Sequence, residues 1–329
     1  MEKPLNLATL PKYLSSETAA WELLERLRWP EGQVVCPHCG VIDPKHYFIE
    51  SKSGERTTRT GKTTYRRLWK CRDKDCRRQF SVLVGTIFES SKIPVSKWLL
   101  GMWLMSAGKN GVSALELQRH LEIAYQSAWF MAHRLREAMT REPMAALLSG
   151  TIVADETWIG GNTKNWHADK RKARETHTFK KTDKQPVLAL VNHDGTEVRT
   201  QIVADVSGPT LRRAIEQNVD IPNSHLQTDE SRSYPGIGKE FLSHKKVNHT
   251  RNRYVVDGAS TNRLESYFSQ LKRSLDGTHH HVSREHLGRY LSEFDFRYAT
   301  RRMSDGERVQ VMVDRTVGKR LTYRPLTER

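Results

Sequence analysis

"TIVADETWIGG", residues 151 to 161, decides how the second half of the chain is read. It has the pattern of an apolar strand running into glycines, and it carries Asp155 at its centre. Buried strands rarely hold an acid without a partner or a metal. Adjacent side chains on a strand face opposite ways, so only one of Asp155 and Glu156 points into a given site. Downstream, "PVLALVNHDG" and "TEVRTQIVADV" (186–206) read as a hairpin turning at "HDG". "PTLRRAIEQN" has helical spacing, "HLQTDE" reads as a strand, and two helices follow over 260–302. The order is strand, strand, strand, helix, strand, helix.

Two further acids stand out in that frame. Asp229 closes the strand "HLQT", and Glu265 lies on a helix beside Leu264, Phe268 and Leu271. One mid-strand acid, one strand-end acid and one on a later helix can converge on a point. Converging carboxylates repel unless cations lie between them. Hard oxygen ligands suit Mg²⁺ or Mn²⁺. Two such ions, about 3.5–4 Å apart, serve phosphoryl transfer. Asp229 and Glu265 have 35 residues between them. Strand alternation predicts that Glu230, like Glu156, turns away from the site. Asn262, three residues before Glu265, shares its helical face.

The four cysteines are confined to residues 36–76: Cys36 and Cys39 with two residues between them, then 31 residues, then Cys71 and Cys76 with four residues between them. Two such knuckles joined by a hairpin suit tetrahedral structural Zn²⁺. Four thiolates fill the shell, so His38 and His46 read as surface residues. Before the ribbon, 12–29 reads as one amphipathic helix with Ser16 as N-cap, ended by "WP". After it come three helical segments: "VSKWLLGMWLMSA", "SALELQRHL" with a capping box from Ser113 to Glu116, and "YQSAWFMAHRLREAM". A tight turn before the third gives a helix-turn-helix pattern. Ala128, Ala132, Leu135 and Met139 form the apolar face of the third helix. Gln126, Phe130, His133, Arg134 and Glu137 lie off it, and Gln126 and Arg134 have the chemistry to read base edges.

The 329 residues carry a net charge of +16, which points to a polyanionic partner, nucleic acid above all. The charge is clustered. Residues 51–80 hold eleven Lys and Arg against three acids, and the loop 161–184 holds eight against three. Lys164 and Arg171 in that loop, with Lys272 and Arg273 after Glu265, are candidate DNA contacts. "THHHVS" (278–283) reads as a structural or DNA-contacting turn, because adjacent histidines diverge on an extended chain. No apolar run is long enough to cross a bilayer and no secretory signal is evident, so a cytoplasmic, nucleoid-associated protein with no membrane partner is expected.

The three acids and their strand order resemble the ribonuclease-H-like fold, and their spacing resembles the D, D, 35, E signature of DDE transposases. "CPHCG", "FSVLVGTIFESSKIPVSKW", "VADETWIGG", "TNRLESYFSQLKR" and "GTHHHVSREHLGRYLSEFDFRY" resemble insertion-sequence transposases with an N-terminal zinc ribbon and an ISXO-like catalytic domain. The resemblance spans roughly residues 15–302, in the expected order. With the patterns above, the expected chain is multi-domain α/β: an N-terminal helix (1–30), a zinc ribbon (31–90), a helix-turn-helix module (91–148), a ribonuclease-H-like mixed sheet with flanking helices (149–302) and a basic C-terminal tail (303–329). The resemblance gives Asp155, Asp229 and Glu265 metal-binding, catalytic roles. It implies hydrolysis at the element's 3′ ends, strand transfer into target DNA, terminal inverted repeats as partners and a dimer or larger assembly on DNA. The alternatives are a metal-dependent nuclease on the same fold and a catalytically dead DNA-binding regulator.

Overall fold

The computed structural model describes residues 5–42, 46–57, 59, 61, 63–141, 146–160, 184–229, 231, 233–247 and 262–327. The chain forms two compact units, residues 1–140 with 302–329 and residues 141–301. No helix among the described residues is long and apolar enough to cross a membrane.

The first unit begins with two helices, α1 (Leu10–Leu14) and α2 (Glu17–Arg28), where one was expected over 12–29. Ser16 separates them and caps α2, its Oγ accepting the Ala19 N–H at 3.1 Å. The ribbon follows. Strands β1 (Tyr47–Phe48), β4 (Trp69–Lys70) and β5 (Gln79–Phe80) pair antiparallel, and β2 (Gly54–Thr57) with β3 (Thr63–Arg66) makes a separate hairpin. So small a sheet has little interior. Aromatic edges supply it: the Trp29 ring meets Trp69 at 5.9 Å and Phe80 at 6.1 Å. Glu25 of α2 accepts from Trp69 Nε1 at 3.0 Å and Arg67 Nε at 3.1 Å, tying helix to ribbon.

Helices α3 (Val95–Ala107), α4 (Ala114–Leu121) and α5 (Tyr125–Met139) follow. The Ser113–Glu116 capping box opens α4, and Glu122, with φ of 48°, closes it into the tight turn before α5. A Cβ on Gly101 would lie 2.9 Å from Met131 Sδ, so α3 and α5 approach closely there and a larger residue would have to displace the Met131 side chain. The apolar face of α5 is buried as its spacing predicts.

The polar face differs from expectation at two positions. His133 and Arg134 are buried. The Arg134 guanidinium donates to the Glu89 carbonyl at 2.7 Å and the Leu321 carbonyl at 3.2 Å, and lies 5.0 Å from the Phe130 ring centre. It is a structural tie and does not reach out to read bases. The α5 periodicity was right, but segments distant in sequence cover that side of the helix. Arg134→Ala is expected to destabilise the chain by about 2–3 kcal/mol in chemical denaturation, since it strips donors from enclosed carbonyls. The slope of log K against log salt for DNA binding should stay unchanged, whereas loss of a phosphate contact would lower it by about 1.

In the second unit, β6 (Leu148–Ile159), β7 (Gln185–Asn192), β8 (Val198–Ile202), β9 (Val219–Thr228) and β10 (Ser243–Lys246) form one sheet in the order β10-β9-β6-β7-β8. β6, β7 and β8 run antiparallel in sequence, while β9 is parallel to β6 and β10 to β9. Pro222, which has no N–H to donate, falls where the β6–β9 register shifts. On one face, Ile152, Ala154, Leu188 and Leu190 pack with α6 (Gly208–Glu216) and residues around α7 (Pro235–Gly238). On the other, Val153, Val187, Ala189 and Val191 pack against α8 (Asn262–Ser274) and α9 (Arg284–Ala299). This is the expected mixed sheet with flanking helices. β10 was not expected, because "SHKK" is a short polar edge strand with no apolar alternation.

Asp295 of α9 joins three elements on the α8–α9 face. Its carboxylate accepts from Thr200 N–H at 3.0 Å, Thr200 Oγ1 at 2.9 Å and Tyr267 Oη at 2.7 Å. Burial outweighs these bonds and pushes its pKa from 3.8 up to about 6. The folded chain therefore holds this proton over a range where the unfolded chain has released it. The stability this group contributes is full below pH 3.8 and is lost as pH rises to about 6. Asp295→Asn is expected to gain stability relative to the parent across that window, on the order of 3 kcal/mol in all, measured by denaturant melts from pH 4 to 7.

Residues 302–329 complete the first unit. The segment 303–329, expected as a basic tail, contains α10 (Asp305–Asp314), which buries Val309, Met312 and Val313 and packs on α2 and α3. A Ser304–Glu307 capping box starts this helix. Beyond it, Val317 bridges Thr86, and Lys319 Nζ donates to the Ala138 carbonyl at 3.3 Å.

Candidate active site

The four cysteine sulfurs lie within 4.8 Å of one another. Cys36 Sγ is 3.8 Å from Cys76 Sγ, and Cys39 Sγ is 3.7 Å from Cys71 Sγ. The knuckles are built by backbone turns. Gly40, with φ of 76°, donates its N–H to the Cys36 carbonyl, and Asp73 Oδ1 accepts the Cys76 N–H at 3.0 Å. Four convergent thiols and no other ligand type fit structural Zn²⁺. His46 corrects the surface reading: it is 6% exposed, its Nε2 lies 3.0 Å from the Val41 carbonyl, and its Nδ1 accepts the Arg72 N–H at 3.3 Å. It braces the two knuckles from inside the ribbon.

The second site is assembled by β6 and β9. They run parallel, with Thr151 beside His225, Ile152 beside Leu226 and Val153 beside Gln227. Continued two residues further, this register sets Asp155, in the middle of β6, level with Asp229, the residue that follows β9. Side chains alternate, so Asp155 shares the face of Val153, which packs under α8. Glu156 shares the opposite face with Ile152 and Ala154, and its Oε1 accepts from Tyr234 Oη at 2.6 Å. Asp155 and Glu156 are thus divided as alternation requires. Tyr234, 78 residues on, had no signal in the sequence as a partner of Glu156.

The electrostatics agree with this layout. Burial first, then the charges of Asp155 and Asp229, push the Glu156 carboxyl up to about 7 against the opposing Tyr234 hydrogen bond. Negative charge is concentrated where β9 ends beside the middle of β6. Asp229 is fixed as the chain leaves β9, its Oδ1 accepting the Ser231 N–H at 2.9 Å. Asp155 Oδ1 accepts the Glu156 N–H at 2.8 Å.

Glu265 stands in the first turn of α8 and is exposed, while Leu264, Tyr267, Phe268 and Leu271 of the same helix are buried on the sheet face that carries Asp155. Asp155 and Asp229 thus stand on neighbouring strands, and Glu265 stands on the helix that covers the Asp155 face. As hard oxygen donors flanking one face, the three suit Mg²⁺ or Mn²⁺ better than a soft metal.

The remaining candidates are spread out. Gln126, the second residue of α5, is exposed. Lys272 and Arg273 are exposed in the last turn of α8, where Arg273 also donates to its own helix at Ser269. Asn262 is exposed at the first position of that helix. Lys164, Arg171 and Glu230 lie outside the described residues. The three histidines diverge as expected: His279 packs on Tyr290 at 4.8 Å, while the His280 and His281 side chains are exposed.

Residues 147–299 match the ISXO2-like transposase domain, and residues 15–79 match the transposase zinc-ribbon domain. A Halobacterium salinarum protein described as an uncharacterized protein in transposable element ISH50 is 26% identical over 312 residues, covering 92% of this chain and 98% of its own length. A Haemophilus influenzae protein described as an uncharacterized transposase-like protein is 28% identical over 102 residues, 31% of this chain and 80% of its own.

Proposed function

On the premise that this chain belongs to the insertion-sequence transposases joining a transposase zinc ribbon to an ISXO2-like transposase domain, we propose that it cuts and joins DNA at Asp155, Asp229 and Glu265. The observation that carries the reading is the β6–β9 register, which sets Asp155 beside Asp229 on the sheet face covered by the helix of Glu265.

Asp155 contributes hard carboxylate oxygens from the middle of β6 and Asp229 from the end of β9, and Glu265 contributes a third from α8. Together they would hold Mg²⁺ or Mn²⁺; bound there, the ions activate an attacking oxygen and stabilise a leaving one. The chain's own part is to hold the acids in place and to line up the strand. Lys272, two turns beyond Glu265, is placed to take a backbone phosphate. The ribbon and the α3–α5 module bind the element's terminal inverted repeats, with exposed Gln126 available to a base edge. Water attacks first, freeing a 3′-OH at the element's end; that hydroxyl then attacks target DNA with no covalent enzyme intermediate. Two ends must be brought together, so the working species is a dimer or larger.

The test is a duplex carrying the inverted repeat that flanks the encoding gene, incubated with Mg²⁺ or Mn²⁺ and a target plasmid. The expected products are a nicked 3′ end and a joined molecule. Hydrolysis without joining would support the nuclease reading, and binding without either reaction the dead regulator. Size-exclusion of the protein with end DNA should show at least two chains per complex; one chain on one end throughout the reaction would exclude the paired assembly.

A further inference from the structure

The segment that covers the polar side of α5 is basic. Residues 315–329 hold five Lys and Arg against one acid. Leu321 is buried and its carbonyl accepts from Arg134 Nε, while the Tyr323 ring meets Phe130 edge-on at 5.5 Å and Trp129 at 6.3 Å. Apolar groups alone would seal the helix. Lys319 turns inward to the Ala138 carbonyl, but Arg320 stands 59% exposed, at the long distance of 3.9 Å from Glu89 Oε1.

Between this segment, α5 and residues 89–93 lies a cavity of about 320 Å³, all of it within the first unit. Its lining has the chemistry of an anion site. Lys92 and Arg320 line it and are exposed, and the hydroxyls of Ser91, Ser127 and Thr322 join them. Both lone pairs of Ser91 Oγ are taken, by Trp98 Nε1 at 2.9 Å and the Ile93 N–H at 3.1 Å, which leaves its O–H to donate. Glu89 is the acid in the lining, and its Oε2 already accepts the Gly85 N–H at 2.9 Å. Arg134 also lines the cavity; among the described residues its hydrogen bonds go to two neutral carbonyls. Burial, then the charge of Arg320, lowers its pKa against the pull of Glu89. Two guanidinium groups that repel each other favour an anion beside them. The backbone that carries Lys92 is held on its far side as well, where the Glu17 carboxylate accepts the Val95 and Ser96 N–H groups at 2.9 and 3.0 Å.

The place of the cavity gives it a purpose. Ser127 is the third residue of α5 and adjoins Gln126, so the cavity stands beside the first turn, the part of a recognition helix that meets base edges. Further along, His133, Arg134 and Arg136 are buried, so the helix meets a groove by its start.

We propose that this cavity receives one phosphate of the DNA backbone, gripped by Lys92 and Arg320 with the Ser91 and Ser127 hydroxyls, and that this contact sets the register of Gln126 against the bases. A phosphodiester spreads its charge over two oxygens, which a guanidinium fork and an ammonium can share. Such contacts fix position and orientation, and base contacts then read sequence. The C-terminal segment is thereby part of the DNA-binding surface. This rests on the reading that the α3–α5 module binds the element's ends.

The test uses the full chain carrying Asp155→Asn, to prevent cutting, as the parent, and a duplex of the flanking inverted repeat as the probe. Lys92→Ala with Arg320→Ala should weaken binding about tenfold and lower the slope of log K against log salt by about 0.9, the value for one phosphate. The loss should be equal on a duplex of unrelated sequence, whereas Gln126→Ala should weaken end binding alone. Replacing the probe's phosphates one at a time by neutral methylphosphonate maps the contact. One position should weaken the parent about tenfold and have no further effect on the double variant. An unchanged slope for a folded double variant, or the same methylphosphonate map in both chains, would overturn the inference while end binding stands. Inorganic phosphate should displace the probe no better than chloride at equal ionic strength. Selective displacement that the double variant abolishes would assign the cavity to a free phosphate and also overturn the inference. If the parent fails to bind the duplex at all, the end-binding reading itself falls. Circular dichroism checks folding, and should the double variant misfold, the methylphosphonate map of Arg320→Gln against that of the parent decides.

Discussion

Asp155→Asn and Asp229→Asn are each expected to lower metal-dependent strand cleavage by roughly a thousandfold or more, while end binding in mobility-shift assays stays within a few-fold of the parent. The size follows from the chemistry. Metal ligation at a phosphoryl-transfer site supplies several kcal/mol of transition-state stabilisation, and each 1.36 kcal/mol is a factor of ten in rate. Asparagine keeps the shape and removes the charge. Glu265→Gln should fall into the same class. Glu156→Gln is the contrasting case. Its side chain is turned to the other face of the sheet and engaged by Tyr234, so cleavage should stay within about tenfold of the parent. The outcome to look for is the split between neighbours: equal losses at 155 and 156 would contradict the strand alternation that assigns them. A wild-type rate from Asp229→Asn would remove it from the site.

Cys71→Ser should release the bound zinc and unfold the ribbon. Structural zinc in small modules contributes about 10–16 kcal/mol of apparent binding free energy at neutral pH, far more than so small a core stores. Among the described residues the ribbon has three short strands beside a hairpin, with Trp69, Phe80 and the Trp29 ring just after α2 packed edge to face in its interior. Losing the metal therefore also loosens the Glu25 ties of α2 to Trp69 and Arg67. Chelator titration of the parent should give the same result, read as one equivalent of Zn²⁺ by a colorimetric chelator and as lost proteolytic protection between residues 31 and 90. Unit 141–301, with its own two-faced core, should keep its melting transition. A variant that keeps its zinc and its protection would show that the four sulfurs do not act as one site.

Much of this was legible in the chain. The capping residues Ser16 and Ser113, the buried stripe of α5 and the hairpin at "HDG" lie where local pattern placed them. Each depends on residues within a turn or a few positions of one another. Other features failed for a shared reason. Arg134 and His46 look like surface groups in a local window, yet distant segments cover them. β10 is polar and becomes a strand by pairing beside β9. The 303–329 segment is basic, and its charge masked the Ser304–Glu307 box that begins a packed helix.

By itself the sequence determined the chemistry on offer: four thiols in two knuckles, acids set into apolar strands, and a charge of +16 for a polyanion. Such properties are carried by residue type and short spacing, and no fold can alter them. Tertiary structure decided which groups meet. The parallel register of β6 and β9 brings Asp155 and Asp229 together across 73 intervening residues, and the covering helices decide that Asp155 lies under α8 while Glu156 lies against Tyr234. A side chain's face is set by its own strand, but what covers that face is set by chain far away.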